Sequence, residues 1–392
     1  ENLFEERNAV DLTWENVQSK LKDNEAAIEL VRFQYYDKRW TDTVYYAALI
    51  LTKETKDKPE IVLLENGKEL EGTLFSEYKD YVEVSKYLSK GEDVSDDGKL
   101  YKGYWSRIAE RIKGKTRVYL SNDGVYNQIN LNSLYNPETE KYLINETEFV
   151  TLTNTREIAI VKKEKKTKNT AELFGYPNYN LGTGEQIEVG ETYNREDKQR
   201  KRLMEGASLK ELPGTKEEIE ETGKLLKKNN WGVNEYIGDE AIEEALKEVN
   251  SPRVLHIATH GAFIDEEKVD REREYSGRMI GEQEQRYYDN PLLRSALFLT
   301  GANRSRRGVN VEGIEDGVFT GYEAQNLNLM NTELVILSAC ETGLGVIKSG
   351  EGVYGLQRAF QVAGAKYIIM SLWNVSDEAT KVLILNFYRK WV

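Results

Sequence analysis

From Thr215 onward, apolar runs alternate with amphipathic stretches, and this alternation constrains the fold more than any other feature. Residues 217–228 read as a helix with Thr215 as its cap, and 232–237 as a strand. Asp239 caps a helix through Val249, and 253–259 is a β-branched, Leu-rich strand. A short strand at 297–300 and a strongly apolar one at 333–339 follow. A helix over 351–363, a strand over 366–372 and a last helix opened by Ser376 and Asp377 complete the pattern. Strands that are apolar on both parities are buried on both faces. The expected fold class is therefore α/β, a mostly parallel sheet flanked by helices on both faces. No internal repeat is visible.

The preceding half reads as a mixed α/β unit. Thr13 caps a helix through Val17 and Leu21. Strands are expected at 27–34, 44–52 and 60–65, with Asn66-Gly67 as a turn. Helices follow at 70–88 and 104–112, then a strand at 117–121. The lysines of 162–168 read as an exposed linker face, which sets domains at 1–165 and 166–392. Residues 171–176 form a strand stopped by Pro177, and 178–209 a long solvated loop. The absent initiator Met and the stop at Trp391-Val392 suggest a fragment of something longer.

Composition removes several function classes. One Cys among 392 residues forbids an intrachain disulfide or a Cys-rich zinc cluster, and two His cannot fill a three-histidine metal site. No metal and no cofactor are expected. No apolar run approaches ~18 residues, so no membrane span is expected. The first residues lack the apolar core of a signal peptide, and the expected location is cytoplasmic. A net charge of −13 argues against direct nucleic-acid binding.

Sites in open parallel sheets form beyond the carboxyl ends of the strands. The strand at 254–259 runs out into His260-Gly261, and the strand at 334–339 into Cys340. If these strands are neighbours, the only Cys and one of two His share a sheet edge. Such a thiol and imidazole make a nucleophile–base pair. Gly261, lacking Cβ, lets a backbone N–H approach a developing oxyanion, and the Cys340 N–H is the second donor. The competing reading is a buried small Cys and a merely hydrogen-bonded His. His256, mid-strand between apolar residues, reads as structural.

The segments around these positions resemble a known family. Val254-Leu255-His256-Ile257-Ala258-Thr259-His260-Gly261 and Leu334-Val335-Ile336-Leu337-Ser338-Ala339-Cys340-Glu341-Thr342-Gly343-Leu344-Gly345 are similar to the histidine and cysteine motifs of CHAT-domain, caspase-like cysteine peptidases. Similar too are Leu212-Pro213-Gly214-Thr215, Asn290-Pro291-Leu292, Ser295-Ala296-Leu297, Asp316-Gly317 before Thr320 and Glu323, the run 352–365, and Trp373-Asn374-Val375 before Asp377. The N-terminal segment matches more loosely, as a caspase-like pseudo-domain.

The resemblance implies a clan with caspases, separase and gingipains. His260 would be the base and Cys340 the nucleophile of a cysteine endopeptidase. Substrate-binding candidates are Tyr176, Asn178, Ser338, Trp373 and Asp377. Ser338 stands where metacaspases carry an acid, which weakens a preference for basic residues before the cut. Bacterial relatives of the type joined to tetratricopeptide repeats act in antiviral defence and cell death. The implied partners are a protein substrate and a regulatory or sensor module outside this fragment, and the family's last helix normally runs on past the stretch resembling Phe387-Tyr388. Residues 264–289 are expected to act as an activation loop. Two other readings stand: a catalytically silent scaffold, and a non-peptidase acyl-transfer enzyme using the same dyad.

Overall fold

The computed structural model describes residues 12–85, 98–160, 167–181, 208–263, 290–306, 315–339, 346–348, 352–373 and 375–392. The chain forms two compact units, Glu1–Glu164 with Ile347–Gly352, and Lys165–Val346 with Val353–Val392.

In the first unit the helix Trp14–Gln18 precedes β1 (Glu25–Tyr36), β2 (Trp40–Thr52) and β3 (Glu60–Leu64). Then come β4 (Arg117–Ser121), the short pair β5 (Tyr135–Asn136) and β6 (Lys141–Tyr142), and β7 (Glu148–Leu152). The main sheet has the order β3-β2-β1-β4-β7. Its first three strands are antiparallel, whereas β4 and β7 run parallel to β1. Ala26, Ala27, Ile28 and Leu30 are all buried, so β1 is covered on both faces.

The expected helix at 70–88 is two helices, Gly67–Glu71 and Thr73–Ser85, because Gly72 adopts φ −105° and ψ −96°, outside the helical region. The expected helix at 104–112 likewise splits into Lys99–Tyr104 and Ser106–Ala109. The break falls at Trp105, whose buried indole packs edge-on against Phe149 at 5.0 Å.

The second unit holds β8 (Thr170–Pro177), β9 (Gly232–Gly238), β10 (Val254–Ala258), β11 (Gly261–Phe263), β12 (Ser295–Phe298), β13 (Val318–Thr320) and β14 (Leu334–Ser338). The last strand of this unit is β17 (Tyr367–Met370), and before it the chain forms a two-stranded ribbon of β15 (Val346–Lys348) and β16 (Gly352–Tyr354), of which residues 347–352 are counted with the first unit. Five strands form one wholly parallel sheet, ordered β17-β14-β10-β8-β9. In its register Ala258 stands opposite Ser338 on one side and Gly175 on the other.

Strand alternation divides the burial between two layers. Leu173, Ala258, Leu334 and Ile336 pack with Ile219 and Leu226 of helix Pro213–Lys228, and with Ile384 and Tyr388 of helix Asp377–Trp391. On the other face Leu255, Ile257, Val335 and Leu337 pack with Leu246, Leu297, Phe319 and Phe360. Both faces are thus covered, as the uninterrupted apolar strands require.

Several local expectations are corrected. The strand near 297–300 is β12, which is not in the parallel sheet; it pairs antiparallel with β11 and β13. The chain leaving β10 turns at His260, and its backbone finds partners there, with Phe298 N–H donating to the His260 carbonyl at 2.9 Å. Thr215 is not a cap. It lies within helix Pro213–Lys228, and its hydroxyl donates to the Leu212 carbonyl at 2.7 Å and accepts Tyr176 N–H at 3.1 Å. Helix Glu243–Lys247 starts after Ile242 rather than Asp239, and helix Leu356–Ala363 after Gly355. Ser376 does cap the last helix, accepting Ala379 N–H at 3.1 Å. No helix among the described residues is long and apolar enough to cross a membrane.

Candidate active site at the carboxyl edge of the parallel sheet

The chain leaves β8 for the edge strand β9 and returns on the other side of β8 as β10. The winding direction therefore reverses between β8 and β10, the place where open α/β sheets leave a crevice beyond their strand ends. His260 lies two residues past β10 and Tyr179 two residues past β8, and their rings are 5.4 Å apart.

His260 is held at both its ring and its main chain. Ring Nε2 lies 2.8 Å from the carbonyl oxygen of Lys210. A carbonyl can only accept, so Nε2 carries the hydrogen and the neutral ring presents Nδ1 as its lone-pair nitrogen. The His260 N–H donates to the Tyr179 hydroxyl at 3.4 Å. That hydroxyl in turn donates to Thr259 Oγ1 at 2.8 Å, because the Thr259 hydroxyl hydrogen is committed to the Phe298 carbonyl. Tyr179 is 1% exposed, and burial pushes its phenol up to about 12, so it is a neutral donor throughout the physiological range. Each bond in this chain contributes ~0.5–1.5 kcal/mol of net stability, and together they fix the strand end on which the imidazole sits.

The partner strand β14 delivers Ser338 and Ala339 to the same edge, in register with Ala258 and hydrogen-bonded onward from Thr259 N–H to the Ser338 carbonyl at 3.1 Å. Ser371, just past β17, donates its hydroxyl to the Ala339 carbonyl. Cys340, the next residue, lies outside the described residues, as do Asn374 and the segment 264–289. Gly261, partly exposed, opens β11 opposite Leu297.

The substrate-binding candidates are distributed unevenly. Ser338 is 7% exposed and its hydroxyl donates inward to Glu218 Oε2 at 3.1 Å, so its side chain belongs to a buried network. The other carboxylate oxygen of Glu218 meets His256 Nε2 at 2.8 Å, both residues being 0% exposed, and the Tyr388 hydroxyl faces His256 Nδ1 at 3.4 Å. Tyr176 adopts φ +50°, which a bulky residue rarely does, and its hydroxyl donates to Glu211 Oε2 at 2.5 Å. The Asn178 amide donates to Asp239 Oδ1 at 2.8 Å, and its Oδ1 accepts Asn180 N–H at 3.2 Å, an Asx turn. Trp373 is partly exposed past β17.

Asp377 ties two motif segments together. Its Oδ2 accepts Gly214 N–H at 2.8 Å, while burial pushes its carboxyl above the usual range. A Cβ on Gly214 would lie 2.4 Å from that oxygen. Gly214→Ala is therefore expected to cost about 1–3 kcal/mol of stability by overpacking. With Asp377→Ala already present the same change is expected to be neutral or stabilising, since Ala favours a helix by ~1 kcal/mol over Gly. A double-mutant cycle in urea denaturation measures both.

Among the described residues one carboxylate trio has metal-ligand spacing, Glu243, Glu315 and Glu323. Lys247 Nζ sits 2.8, 2.9 and 3.2 Å from them, so an ammonium already holds that position. Burial raises the Glu243 carboxyl well above its usual range, with Glu323 and Asp316 adding to the effect.

The family model for the CHAT domain matches residues 98–392, more than half of the chain. The chain belongs to the CHAT-domain family. CHAT domains fall within the caspase-like cysteine peptidase superfamily, and the helix-flanked parallel sheet agrees with that fold. The match begins at residue 98, inside the first unit. No curated relative matches this CHAT protein at a significant level.

Sequence reasoning singled out Tyr176 and Asn178 but passed over Tyr179, Thr259, Lys210 and Glu218. Lys210 acts through its carbonyl, which no residue type announces. Tyr179 is set apart from Tyr176, three residues earlier, by being buried, a property of the folded chain.

Proposed function

We propose that this CHAT domain is a cysteine endopeptidase in which Cys340 is the nucleophile and His260 the base. The observation that carries the reading is the His260 ring: its Nε2–H is spent on the Lys210 carbonyl, and Nδ1 remains to take a proton at the sheet edge toward which β14 runs. In the reaction the Cys340 thiol gives its proton to His260 Nδ1 and sulfur bonds to the substrate carbonyl carbon. The carbonyl oxygen takes the π-electron pair, facing the N–H groups of Gly261 and Cys340. Collapse breaks the C–N bond as the imidazolium protonates the leaving amine, and water then cleaves the thioester. Asp377, Trp373, Tyr176 and Asn178 border the substrate, with Ser338 beneath it. A protein substrate and an activating partner or sensor module complete the reading, in a bacterial defence setting.

The test is reaction of the full chain with a peptide-like electrophile, read by intact mass and peptide mapping. Stoichiometric modification at Cys340, absent from Cys340→Ala, is the expected result. A wild-type chain that stays unmodified, and leaves every native partner uncut, returns the protein to the scaffold reading.

A further inference from the structure

We propose that Asn303 is a positioning residue for His260. The Lys210 carbonyl can select one tautomer of His260 only if that carbonyl is itself fixed, and it stands in a loop ahead of helix Pro213–Lys228. The residue before it, Leu209, is gripped by both backbone groups. Its N–H donates to Asn303 Oδ1 at 2.9 Å, and its carbonyl accepts the Asn303 Nδ2 hydrogen at 2.9 Å. A side-chain amide thus pairs with the chain as a neighbouring strand would. The pairing also settles the amide's orientation, since a flipped amide would set donor against donor.

The second Nδ2 hydrogen goes to Asn180 Oδ1 at 3.0 Å, and the Asn303 N–H donates to the Tyr179 carbonyl at 2.9 Å. Asn303 is 1% exposed, so water does not compete for these contacts. Tyr179 receives the His260 main-chain N–H, and Lys210 receives the ring. The two holds on the base therefore meet at a single buried residue 43 positions further along the chain, whose side-chain amide binds Leu209 and Asn180 and whose main-chain N–H binds Tyr179. Asn303 touches no reacting atom; it acts through the segments 179–180 and 209–210.

This inference rests on the proposed function for its consequence but not for its test. The 392-residue chain has two His, so ¹⁵N-histidine labelling of this chain yields two ring spin systems. In the wild type the neutral His260 ring is expected as the Nε2–H tautomer. In Asn303→Leu, which keeps the side-chain volume but removes the amide, His260 is expected to become a mixture with a substantial Nδ1–H population. His256, tied to Glu218, is expected to keep its signals and so reports an intact core. Where Asn303→Leu disturbs His256 as well, Asn303→Ser, which leaves room for water, gives the same reading.

A variant whose His256 is unchanged and whose His260 stays wholly Nε2–H overturns the proposal. The rate of Cys340 modification is expected to fall by up to about 100-fold alongside the tautomer change, the scale of a misplaced catalytic group. A wild type with the locked tautomer but an unreactive Cys340 would sink the peptidase reading and leave the clamp standing. Normal Cys340 reactivity with no tautomer change in the variant would do the reverse.

Discussion

His260→Ala is expected to slow modification of Cys340, and any cleavage of a protein substrate, by about 10²–10⁴-fold, the range attributable to a positioned proton acceptor. The fold is expected to change by no more than about 1 kcal/mol. The two expectations have separate causes. The ring is partly exposed, and its hydrogen bond to Lys210 disappears together with the donor. The carbonyl left behind lies at an exposed position where water replaces the lost partner. The rate therefore falls because the thiol loses its base, and the core does not register the change. Second-order rates with a peptide-like electrophile, measured beside urea denaturation, test both halves. An unchanged rate would place the base elsewhere.

Glu218→Ala is expected to do the opposite, costing about 3–5 kcal/mol of stability. Glu218, His256 and Ser338 are buried together, and one carboxylate satisfies both the imidazole of β10 and the hydroxyl of β14. Deleting it leaves two buried polar groups without their acceptor and opens a void beside His256 and Ser338. Glu218→Gln keeps an oxygen for one partner and offers an N–H to the other, and is expected to cost about 1 kcal/mol, near the value of one ordinary hydrogen bond. Thermal or urea unfolding of the two variants gives the order directly. If Glu218→Ala were as stable as the wild type, the carboxylate would not be holding the two strands' polar groups. The two histidines, four residues apart along one strand and its extension, are thus expected to separate in these measurements: changes around His256 and Glu218 in stability, and changes at His260 in the rate of Cys340 modification.

The parallel strands were legible because burial on both faces leaves a local signature. Residues 254–258 and 334–338 are apolar at nearly every position, whatever their neighbours. The exit of β10 into His260 followed from the same signature. Helix breaks at Gly72 and Trp105 were not legible, because the periodicity of 67–85 continues through a glycine and Trp105 departs from the helix to reach Phe149. The placement of β12 was misread for a related reason. Four buried residues, Ser295–Phe298, look alike in a parallel or an antiparallel sheet, and only the turn at His260 supplies β11 as their partner.

By itself the sequence determined that this CHAT protein builds a helix-covered parallel sheet with His260 just beyond a central strand, since hydrophobic periodicity and strand-end position are local properties of the chain. Only the tertiary structure decided how that histidine is held. The Lys210 carbonyl, the Tyr179 hydroxyl and the Asn303 amide come from segments 50, 81 and 43 residues away, counted from the numbers themselves. Nor could Glu218 be assigned to His256 before folding, because 38 residues separate them. Hydrogen bonds made by backbone groups and by buried polar side chains depend on which surfaces the packing of helices and sheet brings together, and that information is not carried by any one stretch of sequence.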